Sequence, residues 1–426
     1  MAERYDAGVV GCGTAATVAA LKLAQAGKKV ALFSRGDCAA ESNDPIGLFY
    51  IDAFHDLGAT PDGLTPVVDN RVFMLGKGSS TMSVLSSDQR EESPVAAIGE
   101  RGKVNAWLLE QAKAAGVSVI DAKDAKLEMR FDRNNQLQSL DMNGNAYRLR
   151  ALVLGEGGEC LAGDALASDG TEQRLVVVAT QRYTLDANRL ADRFGMEAGQ
   201  ASAGKILGAA PAGMAGQGWL QTTSDGISIG LSCVVSVFDG EAEAKVKAAF
   251  EAMLASTSIK PLLRDANAQA IQISTGPITG YKEIAQLNGN GWVLVGPATR
   301  MIDPLRHEAS HHEITQGVKA ADAVCRAIAI DDTSSRPLSV YRHMLFDSYV
   351  VKNLKAQKNA VEDIERDPSL VNFYAEFANR WFAHDTGAGM EDRRERNKAF
   401  FKNLRNERPV WEFAMGMRKS LKILRD

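Results

Sequence analysis

The sequence predicts an α/β protein with three parts: a nucleotide-binding unit of the β-turn-α-β kind, a β-rich middle and a helical C-terminal region. Three observations predict it. Gly11-Cys-Gly-Thr-Ala-Ala16 spells G-x-G-x-x-A between a short apolar run and an Ala/Leu-rich stretch. Residues 171–284 read mainly as strands. From Ser339 onward the chain is polar, helix-favouring and dotted with aromatics: Phe373, Tyr374, Phe377, Trp381 and Phe382. At 426 residues the chain is too long for one simple core, so two or three interlocked domains are expected.

Residues 6–10 read as a buried strand, 17–26 as a helix closed by Gly27, and 29–33 as the next strand. In that context each glycine has a task. Gly11 permits the tight turn, Gly13 lets backbone approach a pyrophosphate, and Ala16 lets helix pack on strand. The helix N-terminus then offers free N–H groups to phosphates. An acid that binds the adenosine ribose is expected about 20 residues on, but the strand ends in Ser34, followed by Arg35.

Residues 36–94 read as loop with short strands. An amphipathic helix is expected over 104–115 and a strand over 117–120. A hairpin or meander follows over 126–150, where Asn143-Gly144 supplies the turn. Residues 151–155 form another buried strand. Then come the long strand 226–238, the helix 242–255, the strand 291–296 and the helix 313–330. The expected organisation is a discontinuous nucleotide-binding domain (1–50, 95–160 and 285–335), a β-rich substrate domain (51–94 and 161–284) and a helical region (336–426).

A net charge of -4 gives no bulk argument for nucleic acid. Residues 393–426 nevertheless carry 11 basic and 4 acidic side chains, as suits a solvated helical face, an acidic partner or a membrane surface. Five cysteines without a C-x-x-C argue against a Cys-ligated cluster and suit a reducing cytosol. Cys12 reads as a small loop filler or a low-pKa thiol at a helix start. No signal peptide or spanning segment is evident.

Three of the six histidines fall in RHEASHHE, Arg306 to Glu313, which spells H-E-x-x-H. On one helix that pattern holds zinc. Ser310 stands where a helix N-cap would, which breaks the one-turn spacing of His307 and His311. No third ligand is evident, although Glu313, His343 or His384 are conceivable. A zinc enzyme using His307, Glu308 and His311 is a minor alternative, and no metal is expected.

Four stretches together resemble a known family end to end. They are VVGCGTAATVAALKLAQAGKKVALFSRG, AAPAGMAGQGWLQTTSDGISIGLSC, GYKEIAQLNGNGWVLVGPATRMIDPLRHEASHHEITQGVKAAD and SYVVKNLK. The chain resembles the FixC and electron-transfer-flavoprotein:quinone oxidoreductases, relatives of the geranylgeranyl reductases. The resemblance implies a glutathione-reductase-like FAD-binding Rossmann fold, an inserted β-rich substrate domain and a helical C-terminal region. It implies FAD-dependent electron transfer or substrate reduction. The partners implied are an electron-transferring flavoprotein and a ferredoxin-like subunit, with a cytoplasmic location and peripheral membrane contact through the basic tail.

Carried over residue by residue, the cofactor contacts are Gly11, Gly13, Ala16, Ser34, Arg35, Arg101, Gly157, Gly296 and Pro297. Tyr281, His307 and Glu308 are the candidate catalytic groups, the last two for proton handling. The departures are specific. Ser34 replaces the ribose acid, and Gly296-Pro297 stands where Gly-Asp holds the ribityl chain. Pro offers neither side-chain acceptor nor N–H. Arg300, Met301 and Pro304 crowd a loop that in relatives is rich in glycine. Each lost charge-assisted hydrogen bond is worth ~1.5–3 kcal/mol, about one to two decades in affinity. The alternative is a flavin-free or weakly flavin-binding descendant that partners a flavoprotein paralogue.

Overall fold

The computed structural model describes residues 3–36, 46–85, 95–155, 161, 174–278, 281, 284, 286–301, 303, 305, 310–387 and 392–425. Its organising element is a six-stranded sheet. The strands are β1 (Ala7–Val10), β2 (Val30–Ser34), β3 (Ser118–Asp121), β4 (Ala151–Leu154), β5 (Asn288–Gly289) and β6 (Trp292–Leu294). Their order is β5-β6-β4-β1-β2-β3. All neighbours are parallel except the β5–β6 pair. β1, β2 and β4 are buried at every position. Continuous apolar runs are what a parallel sheet covered on both faces requires.

Helix α1 (Thr14–Gln25) crosses from β1 to β2 and buries nine of its twelve residues, four of them alanine. Small side chains let it lie close. Gly27, at φ 73, ends it, with Gly27 N–H donating to the Ala24 carbonyl and Lys28 N–H to that of Leu23. That left-handed glycine stop is the one expected from the sequence. Helices α2 (Arg101–Ala114) and α3 (Ser310–Ala329) flank α1. Gly317 of α3 faces the Ala15 carbonyl so closely that a Cβ would stand 2.5 Å from its oxygen.

Strands Leu127–Phe131, Leu137–Met142 and Asn145–Arg148 form a separate antiparallel sheet. Its last turn uses Asn143 and Gly144 at φ 51 and 89, the conformation a two-residue hairpin demands.

A ten-stranded sheet carries most of residues 174–277. Its long strands Arg174–Thr184, Ala215–Thr223 and Gly226–Ser236 pair antiparallel, and Ala242–Leu254 packs across them as a helix. Strands Ile46–Tyr50 and Ala96–Glu100 pair with each other at one edge of this sheet. The chain then turns helical. Helices α4 (Ser369–Thr386), α5 (Arg393–Glu407) and α6 (Val410–Arg425) are its longest C-terminal elements. Among the described residues no helix is long and apolar enough to cross a membrane.

Candidate dinucleotide site

The turn after β1 is built as the glycine pattern requires. Gly11 sits at φ 98, where an L side chain is strained, and its N–H donates to the Phe33 carbonyl. Gly13 is the N-cap of α1. No side chain caps that helix, and its first turn holds no acid. An uncapped helix start with positive macrodipole and free N–H groups is an anion cradle. Thr17 Oγ1 donates to the Cys12 carbonyl and Thr14 Oγ1 to Asn105 Oδ1, which fixes the turn against α2.

Glycines surround the first turn of α1. A Cβ on Gly155, the residue after β4, would stand 2.7 Å from the Ala16 Cβ and 3.0 Å from the Val10 oxygen. A Cβ on Gly296 would meet the Ala15 Cβ at 3.0 Å. Ala16 is therefore small for the packing reason read from the sequence. Gly157 lies outside the described residues.

The two ends of the cradle are less generous. Ser34 is buried, and its hydroxyl donates to the Gly36 carbonyl at 2.6 Å. Arg35 Nη1 donates to the Ala125 carbonyl at 2.7 Å. Arg101 opens α2, and its Nη1 donates to Ser310 Oγ at 2.6 Å, joining the starts of α2 and α3. Gly296, at φ 64, leads into a short 3-10 turn with Pro297 in its first positions. That turn is bonded within itself and to α3. Gly296 N–H donates to Gln316 Oε1 at 2.7 Å, Thr299 Oγ1 donates to the Gly296 carbonyl at 2.7 Å, and Met301 N–H reaches Thr299 Oγ1 at 3.3 Å. Thr299, Met301 and Gln316 are all buried. Gln316 was not singled out from sequence. Its only signal is a polar residue on a helix face whose neighbours Ile314, Gly317 and Ala320 are core.

Helix α3 begins at Ser310, so His311 lies in its first turn. His307 and Glu308 precede it, outside the described residues. The His311 ring stacks on Tyr349 at 5.5 Å and 11° and takes the Tyr50 ring edge-on at 4.7 Å. Burial, with His312 beside it, pulls the His311 imidazole down to about 3. Among the described residues no three His, Cys, Asp or Glu side chains converge to hold a metal ion. Tyr281 packs 6.4 Å from Phe346, with Lys355 Nζ 6.0 Å from its ring centre.

Cys12 is disulfide-bonded, whereas Cys233 and Cys325 are free.

No family model matches the chain. Among curated proteins it is similar to Protein FixC of Azorhizobium caulinodans, 27% identical over 369 residues, which is 84% of each chain. It is similar to Protein FixC of Azotobacter vinelandii, 27% identical over 393 residues, covering 89% of this chain and 90% of the relative. Protein FixC of Escherichia coli K12 is 25% identical over 385 residues, 88% of each. Among solved structures, a geranylgeranyl bacteriochlorophyll reductase-like protein from Thermoplasma acidophilum superposes with TM-score 0.68 at 16% identity, covering 86% of this chain and 88% of that one. The myxobacterial chondrochloren halogenase CndH, described as a variant of FAD-dependent halogenases, gives 0.63 at 16% identity over 99% and 97%. The chain is thus FixC-like over most of its length and has the fold shared by these reductase-like and halogenase structures.

Proposed function

We propose that this chain is a FixC-like flavoprotein oxidoreductase that binds FAD at the α1 cradle. The carrying observation is the cradle itself: Gly11 at φ 98 before an uncapped helix start, with Gly155 and Gly296 closed on Ala16 and Ala15. Those residues fit a pyrophosphate. Gly11, Gly13 and Ala16 would hold it, Ser34 and Arg35 would border the ribose, and Arg101, Gly157, Gly296 and Pro297 would line the remainder. Bound FAD would supply the capacity to accept and pass on two electrons. The protein's part is to bind, orient and shield it. Tyr281, with Glu308 and His307, is the proposed reacting face.

Similarity to the FixC proteins over 84% of the chain supports an electron-transferring flavoprotein as redox partner, with a ferredoxin-like subunit beside it. The basic residues of α5 and the exposed Trp411 and Met415 of α6 support peripheral contact with an anionic membrane face. The test of the cofactor is spectral: purified protein, or protein given FAD and then gel-filtered, should carry a flavin band in the blue.

A second reading has a specific observation behind it. Gly296 N–H and the Thr299 hydroxyl are bonded inside the protein, and Ser34 lacks the acid's charge. A flavin-free subunit paired with an intact flavoprotein paralogue would keep the fold under those conditions. Co-purification with a flavoprotein, while this chain stays colourless in excess FAD, would select that reading.

A further inference from the structure

We infer that a groove at the end of the helix Ala242–Leu254 binds an amphipathic carboxylate, an alkyl chain with an anionic head. The assignment is independent of the nucleotide cradle. The helix stops at Leu254, and the 3-10 turn Lys260–Leu263 follows. Beside this junction lies a cavity of about 770 Å³, within the size range of small-molecule sites. Its floor is apolar: Leu254, Ala255, Pro261 and Leu263, with the Tyr183 ring from the strand Arg174–Thr184. Leu254, Leu263 and Tyr183 also pack in the core under that helix, so the floor is continuous with it.

The rim carries an excess of positive charge. Lys260 and Arg264 stand on it, both exposed, against the single acid Glu251. Among the described residues neither the Lys260 ammonium nor the Arg264 guanidinium has a hydrogen-bond or ion-pair partner. An ammonium and a planar guanidinium beside an apolar floor fit a carboxylate head, which the guanidinium can take with two hydrogen bonds. Glu251 repels that head and so sets it at the Lys260 and Arg264 side. The chain then lies over the leucines, where each CH₂ fully buried multiplies affinity by roughly four.

The walls are fixed without help from the rim cations. Arg193 Nη1 donates to the carbonyls of Leu262 and Arg264 at 2.8 and 2.7 Å. Thr257 Oγ1 and Ser258 Oγ meet the Ser79 hydroxyl at 2.6 and 2.5 Å. The Tyr183 phenol donates to Gln181 Oε1 at 2.7 Å, which holds the ring in place. An arriving anion therefore breaks no existing bond of Lys260 or Arg264, and a wall already in place lowers the cost of binding. Cations near a helix C-terminus also steady its dipole, so stability is read beside affinity.

The probe is dodecanoate below its micelle concentration, with dodecyltrimethylammonium as the same chain under the opposite charge. Calorimetry on the full chain should show saturable dodecanoate binding, with octanoate at least about tenfold weaker. Lys260→Ala with Arg264→Ala should weaken dodecanoate about tenfold, since each exposed charge pair is worth up to roughly fivefold. Glu251→Gln should strengthen it about twofold to fivefold, a gain that misfolding cannot produce. Arg394→Glu with Lys402→Glu should leave it unchanged, which separates the groove from the basic surface of α5. Wild-type affinity in the Lys260 and Arg264 variant, equal binding of the cationic amphiphile, or loss in the α5 variant alone would overturn the assignment. So would vesicle retention that depends on Lys260 and Arg264 in a protein that binds no dodecanoate, because the groove would then face a lipid surface rather than a free acid.

Discussion

Gly11 combines a φ of 98 with an N–H bond to the Phe33 carbonyl, so its strain-free geometry and its role in the turn cannot be separated. Gly11→Ala should cost at least ~1 kcal/mol and reduce FAD affinity tenfold or more, measured by fluorescence titration against a folded, CD-matched control. His311 offers a second residue-scale test. Its folded-state value lies below that of a free imidazole, so the unfolded chain binds a proton that the folded one refuses. Stability is therefore whole above about pH 6.5 and falls as pH drops toward 3, by at most ~1.4 kcal/mol per unit. Urea unfolding at pH 7 and pH 5 should show that loss, and His311→Phe should flatten it. An unchanged slope in the variant would mean that another group titrates. At this scale the turn at Gly11 and the helix start after Gly13 were legible in the sequence, because both follow from local backbone demands. The sequence was silent on Gln316, which acts on a turn 20 residues earlier, and on the disulfide of Cys12.

Between elements, the tightest constraint is the crossing of α1 and α3. Gly317 leaves no room for a methyl against the Ala15 carbonyl. Gly317→Ala should push the helices apart and destabilise by ~1–3 kcal/mol, seen as a lower Tm. Because Ala15 belongs to the first turn of α1, the same substitution should also weaken nucleotide binding. A variant with wild-type Tm and affinity would contradict this packing account. Element types were legible where periodicity and stop signals agreed, as in the Gly27 helix end and the Asn143-Gly144 turn. Boundaries were less so. α1 starts at Thr14 rather than Thr17, directly after Gly13, which occupies the N-cap position without a side chain to cap the helix. α2 begins at Arg101, drawn to Ser310 by a contact 209 residues away in sequence. That second signal is not local.

Over the whole molecule, charge and function separate. The chain is net -4, yet α5 and α6 are basic and expose Phe401, Val410, Trp411 and Met415. Vesicles containing phosphatidylserine should retain the protein at low salt and release it at high salt, since each basic residue near the surface contributes ~1 kcal/mol. Arg394→Glu with Lys402→Glu should weaken retention at least tenfold without changing the fold. Equal retention by neutral vesicles would contradict an electrostatic contact. The central claim is that the cradle around α1 holds FAD despite Ser34 and Pro297. The most direct measurement is the visible absorption spectrum of the gel-filtered protein before and after incubation with excess FAD. The account predicts a protein-bound flavin band that bleaches on reduction with dithionite. Protein that elutes colourless after that incubation would contradict it.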